Sequence, residues 1–185
     1  MKKLILASRS PRRLELLSLI TTHFSVMPSN FDERSITISE PFELVRALSF
    51  SKASTIVSQA DDIVIGCDTV VFAEGEILGI PKDQDEAYSM IKKLSGKTHS
   101  VITGVCVLNN HNVHQFECET MVTFFDLTPA DILSYISTDE PYDKAGGYGI
   151  QGKAALFVEK VEGDYSNVVG LPISRLNQLL KQLEE

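Results

Sequence analysis

The sequence predicts an α/β protein built on a mixed sheet. Three observations carry that expectation. Short apolar runs alternate with helix-period segments at the N-terminus, which reads as β-α-β. Ile63–Gly66 is continuously apolar, the mark of a strand buried on both faces. Two long runs, Thr98–Leu108 and Val113–Phe125, flank the turn Asn109-Asn110-His111-Asn112 and read as an antiparallel hairpin at the centre of the sheet. The 185 residues suffice for one domain or two closely packed lobes, and 43% hydrophobic residues can build a core.

The elements follow in order. Lys3–Ala7 is the first strand. A helix from Pro11 to about Ile20 comes next, with Ser10 as its cap, Pro11 in its first turn, and Leu14 and Leu17 on its apolar side. Phe24–Met27 is a second strand, and a loop then leads to Asp32 and Glu33. The segment from Ser39 opens a helix reaching about Ser58, with Leu44, Ala47, Leu48, Ser51 and Thr55 on one face and Lys52 in its second half. Ile63–Gly66 and Val70–Phe72 are strand segments around Cys67-Asp68-Thr69, and Glu74-Gly75-Glu76 turns the chain back into Ile77-Leu78. Asp83 caps a helix to Leu94, with Ala87, Met90, Ile91 and Leu94 inward. After the long hairpin, Thr128-Pro129 starts a helix to Ser137, Ala155–Val161 forms a strand, Tyr165–Pro172 a loop, and Pro172–Leu183 the last helix.

Composition excludes several function classes. The formal charge of −8 counts against a nucleic-acid-binding face. Cys67, Cys106 and Cys118 form neither a zinc pattern nor a disulfide framework, so reduced thiols in a cytoplasmic protein are expected. Leu4–Ala7 is too short an apolar run for a signal peptide, and nothing approaches the ~18 apolar residues of a membrane span. His23, His99, His111 and His114 lack metal-ligand spacing, and the last two fall at the hairpin tip, where solvation is the default.

Two places carry chemistry. Ser8-Arg9-Ser10-Pro11-Arg12-Arg13 puts hydroxyls and positive charge where a strand ends and a helix begins, and the free N–H groups and dipole of that turn attract anions; the alternative is an ordinary capped helix start with solvated arginines. Asp68 is a carboxylate set in apolar strand sequence. Burying it costs roughly 2 kcal/mol or more unless it is paired or binds a cation. It could cap a turn or pair with a buried lysine. With Lys52 and Glu33 it could instead complete a carboxylate–lysine–metal set suited to phosphoanhydride cleavage, in which one carboxylate takes the proton of the attacking water. Gly147, Gly149 and Gly152 match Gly-x-Gly-x-x-Gly by letter. They precede a strand rather than open a helix, so a tight backbone passage near a ligand, or simply a turn cluster, is expected there and not a dinucleotide loop.

Four segments in this order resemble the Maf family of nucleoside triphosphate pyrophosphatases. They are Leu6–Arg13, Cys67-Asp68-Thr69-Val70-Val71, Asp143–Gly152 and Tyr165–Pro172, supported by Ser51-Lys52-Ala53 and Leu94–His99. The resemblance spans the chain from Leu4 to the last helix. It implies a single domain over residues 1–185, an elongated two-lobed fold like that of the inosine-triphosphate pyrophosphatases with a cleft between the lobes. It also implies cleavage of a nucleoside triphosphate to monophosphate and pyrophosphate with Mg²⁺ or Mn²⁺.

Residue by residue, Asp68 matches the family's proton acceptor, and Ser8, Arg12 and Arg13 its triphosphate loop. Glu33 and Lys52 match its other acid and base, with Glu33 and Asp68 expected on the metal. Arg12, Thr69 and Gln151 match the branch acting on dTTP and UTP, and the amide of Gln151 suits a pyrimidine's O4 and N3–H edge. Where the family usually has a lysine after the hairpin, this chain has Ile80. Lys82, two residues on, is expected to supply that charge, since a lysine side chain spans about 6 Å and alternate residues share a strand face, the alternative being a solvent-facing Lys82.

The expectation is therefore a dTTP/UTP pyrophosphatase acting on aberrant or excess pyrimidine nucleotides. A homodimer is compatible with the resemblance, and the sequence does not set the oligomeric state. The rival reading is a nucleotide- or nucleic-acid-binding regulator of cell division with little catalysis.

Overall fold

A computed structural model describes residues 3–56, 58, 61–109 and 112–184, with Glu184 described by its backbone alone. The expected turn residues Asn110 and His111 lie outside the described residues. The strands are β1 Leu4–Leu6, β2 Phe24–Val26, β3 Ile63–Ala73, β4 Glu76–Leu78, β5 Thr98–Asn109, β6 Asn112–Phe124 and β7 Val158–Glu162. The helices are α1 Pro11–Ser18, α2 Pro41–Ser54, α3 Gln84–Leu94, α4 Pro129–Ile136, α5 Tyr165–Val169 and α6 Ile173–Glu184. The seven described strands form one mixed sheet in the order β2-β1-β3-β5-β6-β7, with β4 also on β3. β1 is parallel to both β2 and β3, which completes the β-α-β opening. β4 and β7 are antiparallel to β3 and β6.

The chain divides into two compact units. One comprises Met1–Asp68, Thr103–Cys118 and Gly170–Glu185, and the other Thr69–Ile102 and Glu119–Val169.

In the first unit, Ser10 caps α1 by accepting from the Arg13 N–H, and Pro11 stands in the first turn. Leu16 and Leu17 are the buried residues of α1. Leu14, expected inward, is 39% exposed. The inward stripe therefore runs Arg13–Leu16–Leu17–Ile20, and Arg13 lies on it.

The seating of α2 rests on two glycines. A Cβ on Gly66 of β3 would stand 2.2 Å from the Ser49 carbonyl oxygen and 2.7 Å from the Ala53 nitrogen. A Cβ on Gly104 of β5 would stand 2.4 Å from the Val45 carbonyl oxygen. Only a missing side chain allows this approach. It selects Val45, Leu48, Ser49 and Ala53 as the buried face; of the expected face of Leu44, Ala47, Leu48, Ser51 and Thr55, only Leu48 is among them. The helix stops at Ser54 rather than near Ser58. The Thr55 hydroxyl bonds back to the Lys52 carbonyl at 2.9 Å, a local alternative to another helical turn. Ile5, Ala7, Ala53, Val64 and Cys106 pack together beneath it.

In the second unit, α3 follows its expectation: Asp83 accepts from the Glu86 N–H, and Ala87, Met90, Ile91 and Leu94 are buried. A capping box of Thr128 and Asp131 starts α4. The β3–β4 turn is two residues, Glu74 and Gly75, both at positive φ (51° and 81°), the pattern of a type I′ hairpin. Two expectations are corrected. The strand expected from Ala155 begins at Val158, because Lys153–Phe157 winds into a 3-10 turn. The expected loop from Tyr165 contains α5, since the Asp164 carboxylate accepts from both the N–H and the hydroxyl of Ser166 and so caps a helical turn.

The core of this unit is aromatic. Phe124 meets Tyr148 edge-on at 4.9 Å and His99 at 5.1 Å, and Phe157 meets Tyr135 at 5.1 Å. His99, 2% exposed, belongs to that core, and burial holds its pKa down to about 4.

Candidate active site

β3 is one unbroken strand of 11 residues, so Asp68 lies within a strand rather than between two. Gly66 and Asp68 are two residues apart and share a face of β3. Gly66 receives Ser49 and Ala53 of α2 on that face, and Lys52 lies on the same helical turn. The close approach that Gly66 permits thus carries Lys52 onto Asp68, Nζ to Oδ1 2.5 Å.

Glu33 reaches the same ammonium from the other side, Oε1 to Nζ 2.8 Å. Its neighbour Asp32 turns away. The Asp32 carboxylate caps the 3-10 turn Glu33–Ser35 through the Arg34 N–H and pairs with the Arg34 guanidinium, which holds the acid below the usual carboxylate range. The adjacent acids of the sequence therefore divide, one to the turn and one to the site. A hydroxyl bond of 2.8 Å between Ser29 and Thr55 ties the incoming loop to the end of α2.

The cluster is a lysine between two carboxylates, two of the three groups well buried. Side-chain exposure is 12% for Lys52, 10% for Asp68 and 55% for Glu33. Burial opposes the Lys52 charge, and Asp68 and Glu33 outweigh it, so the ammonium is held above its ordinary pKa. Burial pushes the Asp68 carboxyl up, and the charges of Lys52 and Arg13 oppose that push. A carboxyl on which burial and neighbouring positive charge act in opposite directions is a candidate for proton transfer.

Arg13 is half-buried and donates from Nε to the Gly170 carbonyl at 2.9 Å. Its charge is felt by Asp68, Lys52 and Cys67. Ser8 is buried, and its hydroxyl accepts from the Ser10 N–H at 3.2 Å. Arg12 is half-buried on the first turn of α1. Asp68, Lys52, Glu33, Arg13, Arg12 and Ser8 all belong to the first unit.

Thr69, Lys82 and Gln151 belong to the second. Thr69 is half-buried, and Gln151 and Lys82 are exposed. Ile80 and Lys82 lie in the irregular segment between β4 and α3, so the strand-face alternation expected to align them does not apply. Two positioning groups were not legible in the sequence: Gly66, which seats α2, and the Gly170 carbonyl, which holds Arg13. Gly66 is signalled only by a glycine inside an apolar strand run.

The donors at the cluster fit a small hard cation brought with a substrate. Among the described residues no group of three or more His, Cys, Asp or Glu side chains gathers as a metal cage. Mg²⁺ is ordinarily held by one or two carboxylates together with phosphate oxygens and waters. Asp68 and Glu33 are the two that would hold it, sharing their oxygens with Lys52. Bound there, it would neutralise phosphate charge. No helix among the described residues is long and apolar enough to cross a membrane.

Comparison with known proteins agrees with this frame. The chain is 50% identical over 185 residues to the dTTP/UTP pyrophosphatase of Bacillus cytotoxicus, covering all of this chain and 97% of that one. It is 48% identical to the protein of the same name from Bacillus cereus strain G9842, again over the whole chain and 97% of the relative. The Geobacillus protein of that name is 48% identical, with 99% of each chain covered. Among solved structures, the Ham1 protein of Staphylococcus aureus aligns with a TM-score of 0.57 over 98% of this chain and 99% of that one, at 14% identity. A HAM1 protein from Coxiella burnetii aligns at 0.54 over 98% and 100%, at 12% identity. At such identities the shared feature is the mixed α/β fold. The family model described as Maf-like protein matches residues 3–183, and the chain belongs to that family.

Proposed function

We propose that this protein hydrolyses dTTP and UTP to the nucleoside monophosphate and pyrophosphate. The observation that carries the reading is Lys52 held between Asp68 and Glu33 in a chain about 50% identical over its full length to proteins named for that activity. Asp68 takes the proton of the attacking water. The water oxygen bonds to the α phosphorus as the phosphoanhydride bond between the α and β phosphates breaks, and pyrophosphate leaves with the electron pair. Lys52 and Arg13 balance the negative charge that gathers on the phosphate oxygens. Ser8, Arg12 and the free N–H groups at the start of α1 grip the triphosphate. Thr69 and Gln151 read the base, and the Gln151 amide pairs with a pyrimidine's O4 and N3–H. A divalent cation, Mg²⁺ or Mn²⁺, would be held by Glu33 and Asp68 and would neutralise phosphate charge. The reduced thiols of Cys67, Cys106 and Cys118 support a cytoplasmic location.

The direct test is pyrophosphate release from dTTP, UTP, CTP, GTP and 7-methyl-GTP, with Mg²⁺ and with Mn²⁺. Release from dTTP and UTP well above the purine nucleotides is the expected result. Nucleotide binding with no release under either metal overturns the reading and favours the regulatory alternative.

Lys82 is proposed to stand in for the lysine absent at Ile80. Its backbone N–H donates to the Glu86 carboxylate at 2.7 Å, which anchors the residue while leaving the ammonium exposed. Lys82→Ala is expected to lower kcat/KM for dTTP by about tenfold, the effect of one lost phosphate contact. A ratio near one removes Lys82 from the site.

A further inference from the structure

His99 is an anomaly in its core. The imidazole is 2% exposed, packed edge-on against Phe124 and Tyr148, and belongs to neither the acid–lysine cluster nor any metal-ligand group among the described residues. Its Nε2 meets the Tyr148 hydroxyl at 2.7 Å, with either group able to donate. Its Nδ1 is buried and has no hydrogen-bond partner among the described residues. A phenylalanine would fill this aromatic corner without burying an unpaired nitrogen. What the histidine adds is one bond to Tyr148.

Tyr148 stands where such a bond has mechanical consequence. Gly146 and Gly147 precede it, both at positive φ (69° and 72°), and Gly149 follows. A backbone so rich in glycine has little conformational preference of its own, and Tyr148 is the only side chain between Gly146 and Ile150. The segment is fastened around it. Tyr135 donates to the Gly147 carbonyl at 3.1 Å, and Gly146 N–H to the Gly79 carbonyl at 2.9 Å. The Lys144 side chain lies so close to Gly149 that a Cβ there would meet its Cε at 2.6 Å. Beyond the turn, Glu140 receives the N–H groups of Lys153 at 2.9 Å and Ala154 at 3.3 Å. Gln151, exposed, sits between the two fastenings, three residues after Tyr148 and two before Lys153.

We propose that His99 and Tyr148 form a positioning pair that fixes the backbone carrying Gln151 and thereby sets the enzyme's preference for a pyrimidine base. The inference rests on the reading of Gln151 as the base contact. It concerns residues that touch no substrate, and it makes a buried hydrogen bond the determinant of specificity. Loss of the bond leaves Asp68, Lys52 and Glu33 in place, all in the other unit, so the chemical step persists. What loosens is the amide that has to meet the base.

Tyr148→Phe keeps the ring and removes the hydroxyl, and His99→Gln offers an amide nitrogen where Nε2 stood. The experiment measures kcat and KM for dTTP and dGTP, with Tm, for both variants, the double variant and Gln151→Ala. Tyr148→Phe is expected to raise KM for dTTP about 3–10-fold, to leave kcat within about twofold, and to narrow the dTTP/dGTP ratio of kcat/KM. His99→Gln is expected to retain more of that ratio than Tyr148→Phe, and the double variant to match Tyr148→Phe rather than add to it. A lowered Tm in both single variants with KM and the dTTP/dGTP ratio unchanged overturns the proposal and leaves the pair as packing. If Gln151→Ala leaves the ratio unchanged, base reading by Gln151 fails, and this inference with it. If Gln151→Ala changes the ratio and Tyr148→Phe does not, only the positioning role fails.

Discussion

Asp68→Asn is expected to lower kcat for dTTP by at least about 100-fold while Tm moves by no more than a few degrees. Asparagine keeps the shape of the side chain and can still accept from Lys52, whose second carboxylate, Glu33, remains at 2.8 Å. The variant loses a base and not a fold. Two stability effects oppose each other: a buried charge is relieved of its desolvation cost, and Lys52 gives up its shorter ion pair. The proposed proton acceptor has no substitute nearby among the described residues, because Glu33 is half-solvated and Asp32 is committed to Arg34. A loss of less than tenfold in kcat together with a marked fall in Tm would show Asp68 to be a structural ion-pair partner. The pH profile carries a second signature. Burial raises the Asp68 pKa above its ordinary 3.8, so the acid limb of kcat/KM lies above that value and is absent from the residual activity of the variant.

Much of this was legible in the sequence, for physical reasons that differ from place to place. The cap at Ser10, the cap at Asp83 and the inward face of α3 follow from local rules, in which a side chain satisfies a backbone donor or a stripe repeats each turn. Asp68 was legible because a carboxylate in an apolar strand has few neutral explanations. The inward face of α2 was not legible. Apolar spacing favours Leu44 and Ala47, whereas the observed face is set by glycines distant in sequence, Gly66 against Ser49 and Ala53 and Gly104 against Val45. No local pattern reports a partner's missing Cβ. The same holds for Arg13, whose place on the inward stripe of α1 depends on the distant carbonyl of Gly170. The helix at Tyr165 is hidden for a different reason: Asp164 is an ordinary cap, and the five-residue run after it is too short to show a period. Glu33 and Asp32 were indistinguishable as letters, and only Arg34, two residues from one of them, breaks the tie.

Lys52→Met tests the other half of the cluster, through stability as well as rate. Methionine fills a similar volume and removes the charge, leaving the Asp68 carboxylate to Arg13 alone, with Glu33 and the Cys67 thiol as its other titratable neighbours. An acid buried to that degree without its partner costs roughly 3 kcal/mol when ionised. Proton linkage fixes the sign. Asp68 in the variant has a folded-state pKa raised further above its unfolded value, since burial persists and the largest opposing charge is gone. Below the unfolded value both states hold the proton and no penalty arises. The penalty grows as pH rises and is complete above the folded value. Lys52 in the wild type has a raised pKa, so its contribution is present below the ordinary 10.5 and is lost only as pH climbs through the raised value. The destabilisation is therefore expected to be larger at about pH 8 than at about pH 5, read from urea midpoints at constant m. The acid limb of kcat/KM is expected to move to higher pH in the same variant, and kcat on the plateau to fall about 100-fold with the loss of the charge nearest the base. Equal destabilisation at the two pH values, with an unmoved acid limb, would mean that Lys52 does not hold Asp68 ionised, and a base poised by its lysine partner would be ruled out.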